Sequence, residues 1–229
     1  MKRVLIFALA LLLFSCAQRS QFERIEFQAP SLPDAALQPY LEGVERMGIV
    51  CVTNIEPFRE LDVEKVMALL SNATMRGLSR LPETTIVSQD EITWKLKTVH
   101  FDSTSVYTNT VRAALRDTLA LDAIVFVELR HLQARMMPMT PTPYGMSPNP
   151  SMDISVDLQI SLINLHTDQV WKREGSERNL EPVRLQLMSA NNQSERQLLM
   201  ALGKPMQRFL VRVAPPPKRQ RRHFETSGN

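Results

Sequence analysis

Apolar and polar residues alternate along one stretch of the chain, and this alternation predicts its clearest element. The apolar members occupy every second position: Ile154, Val156, Leu158, Ile160 and Leu162. A period of two is typical of a β-strand that places one face on a core. His166-Thr167-Asp168 then predicts a turn, and residues 169–177 predict a return strand. We therefore predict a long antiparallel hairpin whose first strand is buried on one face.

Shorter apolar runs predict three further strands. Gly48–Ile55 is compact and β-branched, as buried strands are, and residues 84–87 form a shorter run of the same kind. Ala123–Leu129 begins with apolar residues on both faces, which favours a central place in the sheet. Cys51 lies inside the first run, and we predict that it is a small core residue.

Four stretches with helical spacing complete the prediction of secondary structure. The first extends to about residue 81, and Pro205 is expected to kink or restart the last. The predicted N-caps are Asp62, Ser88 with Glu91 in capping-box spacing, Thr108 or Asn109, and Asn192 or Ser194. The resulting order, β-α-β-α-α-β-β-β-α, predicts an α/β (α+β) domain with helices packed against a central mixed sheet.

The first sixteen residues have the features of a secretion signal. Two basic residues precede the apolar run Val4–Phe14, which is shorter than the roughly 20 residues that a membrane-spanning helix needs. Leu13-Phe14-Ser15-Cys16 resembles a bacterial lipobox, in which a small residue precedes the cysteine. The resemblance implies cleavage before Cys16, lipid attachment to its sulfur and acylation, as with palmitate, of the new N-terminus. Ala17 follows, and in such lipoproteins a residue other than Asp favours the outer membrane. The alternative is a simple signal peptide with an incidental cysteine.

Prolines and charges divide the rest of the chain. After a signal peptide of residues 1–15, proline interruptions predict a flexible, lipidated tether over residues 16–46, although this stretch could instead pack on the domain. The periplasmic domain is predicted over residues 47–214, and a disordered basic tail over residues 215–229. The 229 residues are 44% hydrophobic and 22% charged, which is ordinary for a globular protein.

The net charge of +3 arises at the two ends of the chain. Without the basic residues of the first three positions and of the tail, the body of the chain is slightly acidic, which excludes a general nucleic-acid surface. The tail residues are candidates for contact with lipopolysaccharide, lipid headgroups or peptidoglycan: Lys218, Arg219, Arg221 and Arg222. The alternative is a solvated tail without a partner.

Residues 136–150 form the most unusual segment of the chain. Five prolines predict a loop or a polyproline-like arm rather than a strand. Methionines and a tyrosine offer adaptable apolar contacts, so we predict a partner-binding arm with these residues: Met136, Met137, Met139, Tyr144 and Met146. Two alternatives stay open, namely a plain connector and the capture of Cu(I) by methionine thioethers together with His131.

Motifs for catalysis and for cofactor binding are absent from the sequence. The chain has no G-x-G-x-x-G, Walker, H-E-x-x-H, C-x-x-C or G-x-S-x-G pattern, and its four histidines are scattered. We therefore predict a protein that is not an enzyme, that uses no cofactor and that has no metal site.

Three stretches of the chain resemble one superfamily of bacterial envelope domains. They are a first strand after a tether at residues 49–55, Leu121-Asp122 before an apolar strand, and the strand-turn-strand at residues 158–171 that ends in Trp171. The superfamily includes the curli-secretion lipoprotein, the outer-membrane lipoproteins that activate peptidoglycan synthases, and the N-terminal domain of the Tol-system propeller protein. Glu128 and Asp168 stand where the family often has glycine.

The resemblance implies a function without a catalytic site. It suggests an outer-membrane lipoprotein that faces the periplasm and assists or activates cell-envelope assembly, such as peptidoglycan synthesis or a secretion or appendage complex, by binding another protein. The alternative hypothesis is a periplasmic module that binds a small ligand or Cu(I).

Overall fold

Strands and helices follow one another along the described parts of the chain. The computed structural model describes residues 23–29, 31–56, 61–137, 141–142, 145–146, 151–177 and 190–224. The strands are β1 (Glu23–Ala29), β2 (Arg46–Thr53), β3 (Thr85–Val87), β4 (Ala123–Met137), β5 (Pro141–Thr142), β6 (Gly145–Met146), β7 (Ser151–Asn164), β8 (Val170–Glu177) and β9 (Lys218–Phe224). The helices are α1 (Gln38–Leu41), α2 (Val63–Leu78), α3 (Gln89–Lys95), α4 (Asn109–Leu119) and α5 (Ala190–Val213), with a 3-10 turn at Ser105–Tyr107.

A mixed five-stranded sheet, in the order β3-β2-β4-β7-β8, forms the centre of the domain. β2 is parallel to β3 and to β4, whereas β4, β7 and β8 are antiparallel neighbours. The predicted fold class and the predicted hairpin at residues 154–177 are therefore confirmed. From β2 to α5 the order of the main elements is also the predicted one.

Helices cover both faces of this sheet. One face packs against α2 and α5 through a core that includes Ile49, Val125 and Ile160. The other face packs against α3, α4 and the 3-10 turn through a second core that includes Phe126 and Ile163. Each layer hides the apolar side chains of alternate strand positions.

The prediction that β7 is buried on one face only is wrong. Gln159 is 3% exposed and Ser161 is 0% exposed, although both point away from the face that carries Leu158. The 3-10 turn and α4 cover this second face, and Tyr107 gives its polar side chains a hydrogen-bonding partner. Alternation therefore marks the faces of β7 correctly, but the polar face is also removed from water.

Helix starts follow the predicted caps, except in the last helix. Asp62 accepts a hydrogen bond from the Lys65 N–H at 3.0 Å, and Ser88 accepts one from the Glu91 N–H at 3.3 Å. Thr108 caps α4 in the same way. α5 begins at Ala190, before either predicted cap, and runs through Pro205 without an end. A continuous buried stripe along α5 outweighs the local cost of the proline, about 3 kcal/mol.

The compact unit around the sheet begins earlier than predicted. It comprises residues 32–215, whereas the predicted domain begins at residue 47 and the predicted tether ends at residue 46. Leu37 is 0% exposed within the core, and the Asp34 N–H donates to the Arg212 carbonyl at 2.8 Å. Burial of this apolar residue explains why the last part of the predicted tether packs on the domain.

The segments outside this unit differ from a disordered tail. β1 pairs antiparallel with β9 along seven residues, from Glu23↔Phe224 to Ala29↔Lys218. The backbone at residues 218–224 is therefore a strand where we predicted disorder. The predicted signal peptide and part of the predicted tether, residues 1–22, lie outside the described residues. No helix in the described part of the chain is long and apolar enough to span a bilayer.

Candidate functional site

β4 and β7 continue beyond their neighbours as a two-stranded ribbon. Pairing of β2 with β4 ends at Thr53↔Leu129, and pairing of β8 with β7 ends at Glu177↔Val156. The β4–β7 ladder instead continues, after a register shift that follows Leu129, to Met137↔Ser151. We name residues 130–137 and 151–155 the ribbon. Because no third strand among the described residues pairs with it there, the ribbon extends past the end of the five-stranded sheet.

The ribbon contains two of the five residues of the predicted partner-binding arm. Met136 and Met137 belong to β4, and Met146 belongs to β6, which pairs with β5. The prediction of a loop for all of residues 136–150 is therefore wrong at these positions, because the β4–β7 ladder includes the first two and β6 pairs with β5 at the third. Met139 and Tyr144 lie outside the described residues. A contact role for the five residues stays a prediction.

A groove lies on the sheet beside the base of the ribbon. It has a volume of about 360 Å³, and we name it the sheet groove. Its lining comes from three adjacent strands: Arg130, Asp157, Leu158, Glu174, Gly175 and Ser176. Strand register brings these residues together, since β7 places Asp157 opposite Ser176 and Gln159 opposite Glu174.

Arg130 holds two carboxylates at one side of the sheet groove. Its Nη1 lies 2.8 Å from Glu174 Oε1, and its Nε lies 3.3 Å from Glu128 Oε2. Glu128 is 3% exposed, and its other oxygen accepts a hydrogen bond from Asn54 Nδ2 at 3.1 Å. A buried carboxylate requires such partners, because desolvation disfavours its charge. Arg130 and the two carboxylates, of Glu128 and Glu174, together carry one net negative charge beside the sheet groove.

Tyr107 organises the polar residues of the neighbouring row. Its hydroxyl lies 2.8 Å from Ser161 Oγ and accepts a hydrogen bond from Gln159 Nε2 at 3.2 Å. Lys172 places its ammonium 3.6 Å from the centre of the Tyr107 ring. The tyrosine therefore satisfies buried side chains with its hydroxyl and supports an exposed cation with its ring.

Asp122 joins three segments at the opposite end of the sheet. Its Oδ2 accepts hydrogen bonds from the N–H groups of Glu45 at 3.0 Å and Arg46 at 2.8 Å, and its Oδ1 lies 2.7 Å from His166 Nε2. Partial burial raises the pKa of Asp122, but these hydrogen bonds outweigh burial and hold the pKa below its usual range. The ionised carboxylate ties the starts of β2 and β4 to the turn between β7 and β8.

The chain enters the compact unit at this same end. Arg212, at the C-terminal end of α5, donates from its Nε to Asp34 Oδ2 at 2.7 Å. Asn164, the last residue of β7, lies within 3.4 Å of the carbonyls of Tyr40 and Glu42. The ribbon begins at the other end of β7. The entry of the chain and the ribbon are therefore at opposite ends of the strand.

The described residues include a groove with polar and charged groups suited to binding. Burial raises the pKa of the Cys51 thiol to about 12, so the predicted core role of this cysteine agrees with the structure. Within the described ranges, no three histidine, cysteine or acidic side chains come close enough to hold a metal ion. The sheet groove presents a guanidinium, carboxylates and a hydroxyl, which suit polar recognition.

The remaining predicted sites have no described side-chain environment. The lipobox residues lie outside the described residues: Leu13, Phe14, Ser15 and Cys16. The four tail cations lie on β9: Lys218, Arg219, Arg221 and Arg222. Their predicted contacts with lipid, lipopolysaccharide or peptidoglycan stay predictions.

Sequence reasoning missed the sheet groove. Glu128 and Arg130 interrupt the apolar pattern of β4, and this interruption was the available signal in the sequence. Glu174 belongs to a strand more than forty residues away, and the registers of β4 with β7 and of β7 with β8 together place it beside Arg130. The groove was therefore not accessible to local patterns.

Comparisons with known proteins find similarity in structure alone. No family model matches the chain, and no curated protein matches it. Among solved structures, the C-terminal domain of LpoB from Salmonella enterica aligns at 14% identity and a TM-score of 0.35, with 62% of this chain and 96% of that chain covered. Lipoprotein GNA1162 from Neisseria meningitidis aligns at 13% identity and a TM-score of 0.39, with 71% of this chain and 98% of that chain covered.

A third structure is the hypothetical protein CT253 from Chlamydia trachomatis, at 11% identity and a TM-score of 0.41, with 75% of this chain and 96% of that chain covered. At these identities and TM-scores the likeness assigns no function to the chain.

Proposed function

We propose that the protein is an outer-membrane lipoprotein, and that its periplasmic domain assists cell-envelope assembly by binding another protein through the ribbon. The observation that carries this proposal is the placement of the ribbon at the end of β7 opposite the entry of the chain. β7 has 14 residues, so a rise of about 3.3 Å per residue separates its ends by roughly 43 Å. An anchor at one end leaves the ribbon directed toward a partner.

The anchor in this proposal is a lipid on Cys16. The spacing Leu13-Phe14-Ser15-Cys16 supports it. Several acyl chains anchor stably where one does not, since each buried methylene contributes about 0.8 kcal/mol. A Cys16→Ala variant should lose acyl labelling and leave the outer-membrane fraction, because no sulfur remains to accept the diacylglyceryl group. Unchanged labelling and flotation of that variant would exclude lipidation at this position.

The binding surface in this proposal combines the ribbon with the sheet groove at its base. A two-stranded ribbon presents backbone edges as well as side chains, and strand edges are common docking elements for other proteins. Arg130, Glu174 and Asp157 supply charged groups next to that edge. Envelope partners of the synthase, secretion or appendage type remain the proposed class.

The sheet groove also favours the second candidate, a module that binds a small polar ligand. Its volume of about 360 Å³ lies at the lower end of the range for small-molecule sites. That reading predicts a thermal shift with one class of small polar compound. A Cu(I) site at the methionines of residues 136–146 is part of the same alternative, and a Cu(I) titration of the intact protein tests it.

Site-specific photo-crosslinking in intact cells tests the partner-binding proposal. A photoreactive amino acid replaces His131 or Gln133, which are exposed on β4. Glu64, which is exposed on α2, and Arg80, which is exposed just after α2, are the control positions. We expect a specific cross-linked protein from the β4 positions and none from the controls. Equal products from all four positions would contradict a ribbon-specific contact.

A shortened ribbon provides the matched loss-of-function test. A two-residue Gly-containing turn replaces residues 138–150 and joins Met137 to Ser151, which are already paired. We expect native-like thermal unfolding together with loss of the cross-link at His131. If the shortened protein keeps the cross-link and complements a deletion strain, residues 138–150 serve as a connector only.

A further inference from the structure

We propose that a basic groove between α5 and β8 binds the anionic headgroups of a phospholipid bilayer, so that this side of the domain lies on the membrane. The groove has a volume of about 500 Å³. Its lining contains four cations, one amide and one apolar residue: Arg173, Lys204, Gln207, Arg208, Val211 and Arg212. We name it the basic groove. It is separate from the sheet groove and from the ribbon.

The helix contributes its cations as a regular stripe. Lys204, Arg208 and Arg212 follow one another at intervals of four residues, so they lie on one side of α5. Arg173 approaches the same groove from β8, the edge strand of the sheet. Close packing of the two elements holds this arrangement, since a Cβ added at Gly175 would lie 2.6 Å from Pro205 Cβ.

Neighbouring acids neutralise only part of this charge. Glu177 lies 2.8 Å from Arg208 and 3.8 Å from Lys204, and Asp34 lies 2.7 Å from Arg212. Two carboxylates therefore face four cations in and beside the groove. Among the described residues, Arg173 has no ion-pair partner. Its guanidinium therefore offers an external anion both a positive charge and hydrogen-bond donors.

Val211 favours a membrane over a soluble polyanion as the occupant of the basic groove. Val211 is 48% exposed and lines the basic groove together with the cations. An apolar side chain surrounded by lysine and arginine is the combination that suits the headgroup region of a bilayer, where both hydrocarbon and phosphate are within reach. The long aliphatic stems of the cations extend the same apolar surface.

The position of the groove gives a second, independent reason for this occupant, one that rests on the proposed lipid anchor. Arg212, at one end of the stripe, contacts Asp34, where the chain enters the compact unit. Eighteen residues connect Cys16 to Asp34, which corresponds to at most about 60 Å when fully extended. An anchored chain therefore keeps the basic groove at high effective concentration near headgroups.

Vesicle binding by the unlipidated mature chain tests the inference. Binding of residues 16–229 with Cys16→Ala is measured on phosphatidylethanolamine vesicles that contain one quarter phosphatidylglycerol. Phosphatidylcholine vesicles serve as the neutral reference. Each cation near an anionic surface contributes about fivefold to partitioning, so the triple variant Arg173→Gln, Lys204→Gln, Arg208→Gln should lose on the order of 100-fold on the anionic vesicles. Binding of the parent chain should weaken steeply with salt.

The control variant removes the same charge elsewhere. Arg76→Gln, Arg80→Gln and Lys97→Gln are exposed substitutions on and around α2 and α3, and we expect less than about a threefold loss from them if contact, rather than net charge, determines binding. Equal losses from both triples overturn the inference. So does unchanged binding of the groove variant, including the case in which that variant loses a cross-linked acidic protein instead.

Two further variants keep the outcome decisive. If the groove triple unfolds because Glu177 loses its partner, Arg173→Gln with Lys204→Gln leaves the Arg208–Glu177 contact and should still lose on the order of 25-fold. A third variant replaces the four cations of β9 with glutamine, and loss of binding in that variant alone would assign the membrane contact to β9. Acyl labelling of Cys16 is measured separately, so failure of the groove and failure of the anchor give different results.

Discussion

Removal of one hydroxyl, in the variant Tyr107→Phe, tests whether the second face of the sheet is sealed from water. The ring, its packing and its contact with Lys172 remain, because phenylalanine keeps the same carbon skeleton. The variant loses the contact of the hydroxyl with Ser161 at 2.8 Å and the hydrogen bond from Gln159 at 3.2 Å. The next acceptor for the Gln159 amide, Ser161 Oγ, is 3.5 Å away, at the limit of a hydrogen bond.

The expected cost follows from the burial of these two partners. Gln159 and Ser161 are almost fully buried, so water has little access to replace the lost bonds. A buried polar group without a partner costs about 1–3 kcal/mol, and we expect that loss in the free energy of unfolding of Tyr107→Phe. Gln159→Ala should cost a similar amount, instead of the value below about 0.5 kcal/mol that an exposed face would give.

Urea denaturation, followed by far-UV circular dichroism, measures these losses. The transition slope should stay constant, since the surface exposed on unfolding is unchanged. Tyr40→Phe is the matched control, because the described residues offer its hydroxyl no hydrogen bond, and it should change stability by less than about 0.5 kcal/mol. A double-mutant cycle with Ser161→Ala should give a coupling of about 0.5–3 kcal/mol. Equal, small losses from both tyrosine variants would show that water reaches the Tyr107 hydroxyl.

Three further predictions follow from other contacts. Asp122→Asn should cost about 1–3 kcal/mol at neutral pH, because the carboxylate accepts three hydrogen bonds. Folding lowers the pKa of Asp122, so its ionised carboxylate stabilises the folded state above about pH 4, and this stabilisation is lost as the pH falls through the folded-state pKa. The stability of the Asp122→Asn variant should therefore fall less on acidification than that of the parent protein. Identical acid profiles of the two proteins would contradict this. Leu158→Ala should cost about 2–5 kcal/mol in the same denaturation assay, because it leaves a cavity beneath α5. Gly175→Ala should cost about 1–3 kcal/mol because its Cβ meets Pro205, whereas Gly203→Ala, with open space around it, should be neutral or stabilising; equal effects at the two glycines would refute the close approach.

Local signals in the sequence were sufficient for most of the secondary structure. The alternation from Ile154 to Leu162 required a strand, and Asp62 and Ser88 required helix starts directly after them. These predictions hold because they depend on backbone geometry and on side chains within four residues of one another. The order of elements then limited the fold to a sheet with helices against it.

The limits of each element depended on neighbours that are distant in sequence. β4 continues eight residues past the predicted end because β7 pairs with it up to Met137. α5 passes Pro205 because buried contacts continue on both sides of the proline. Leu37 joins the core only because the sheet and α5 leave an apolar surface for it. Pairing and burial between distant segments supply more free energy than the local signals that they override.

Candidate surfaces show the same division between local and tertiary information. The basic spacing of Lys204, Arg208 and Arg212 is visible in the sequence, but Arg173 joins them only through the packing of β8 on α5. The sequence likewise shows that Gln159 is polar, yet burial of its face is decided by the 3-10 turn and α4. A residue's own type determines which partners it needs, whereas the tertiary structure determines which partners it meets, because strand register and helix packing join segments that no local pattern relates.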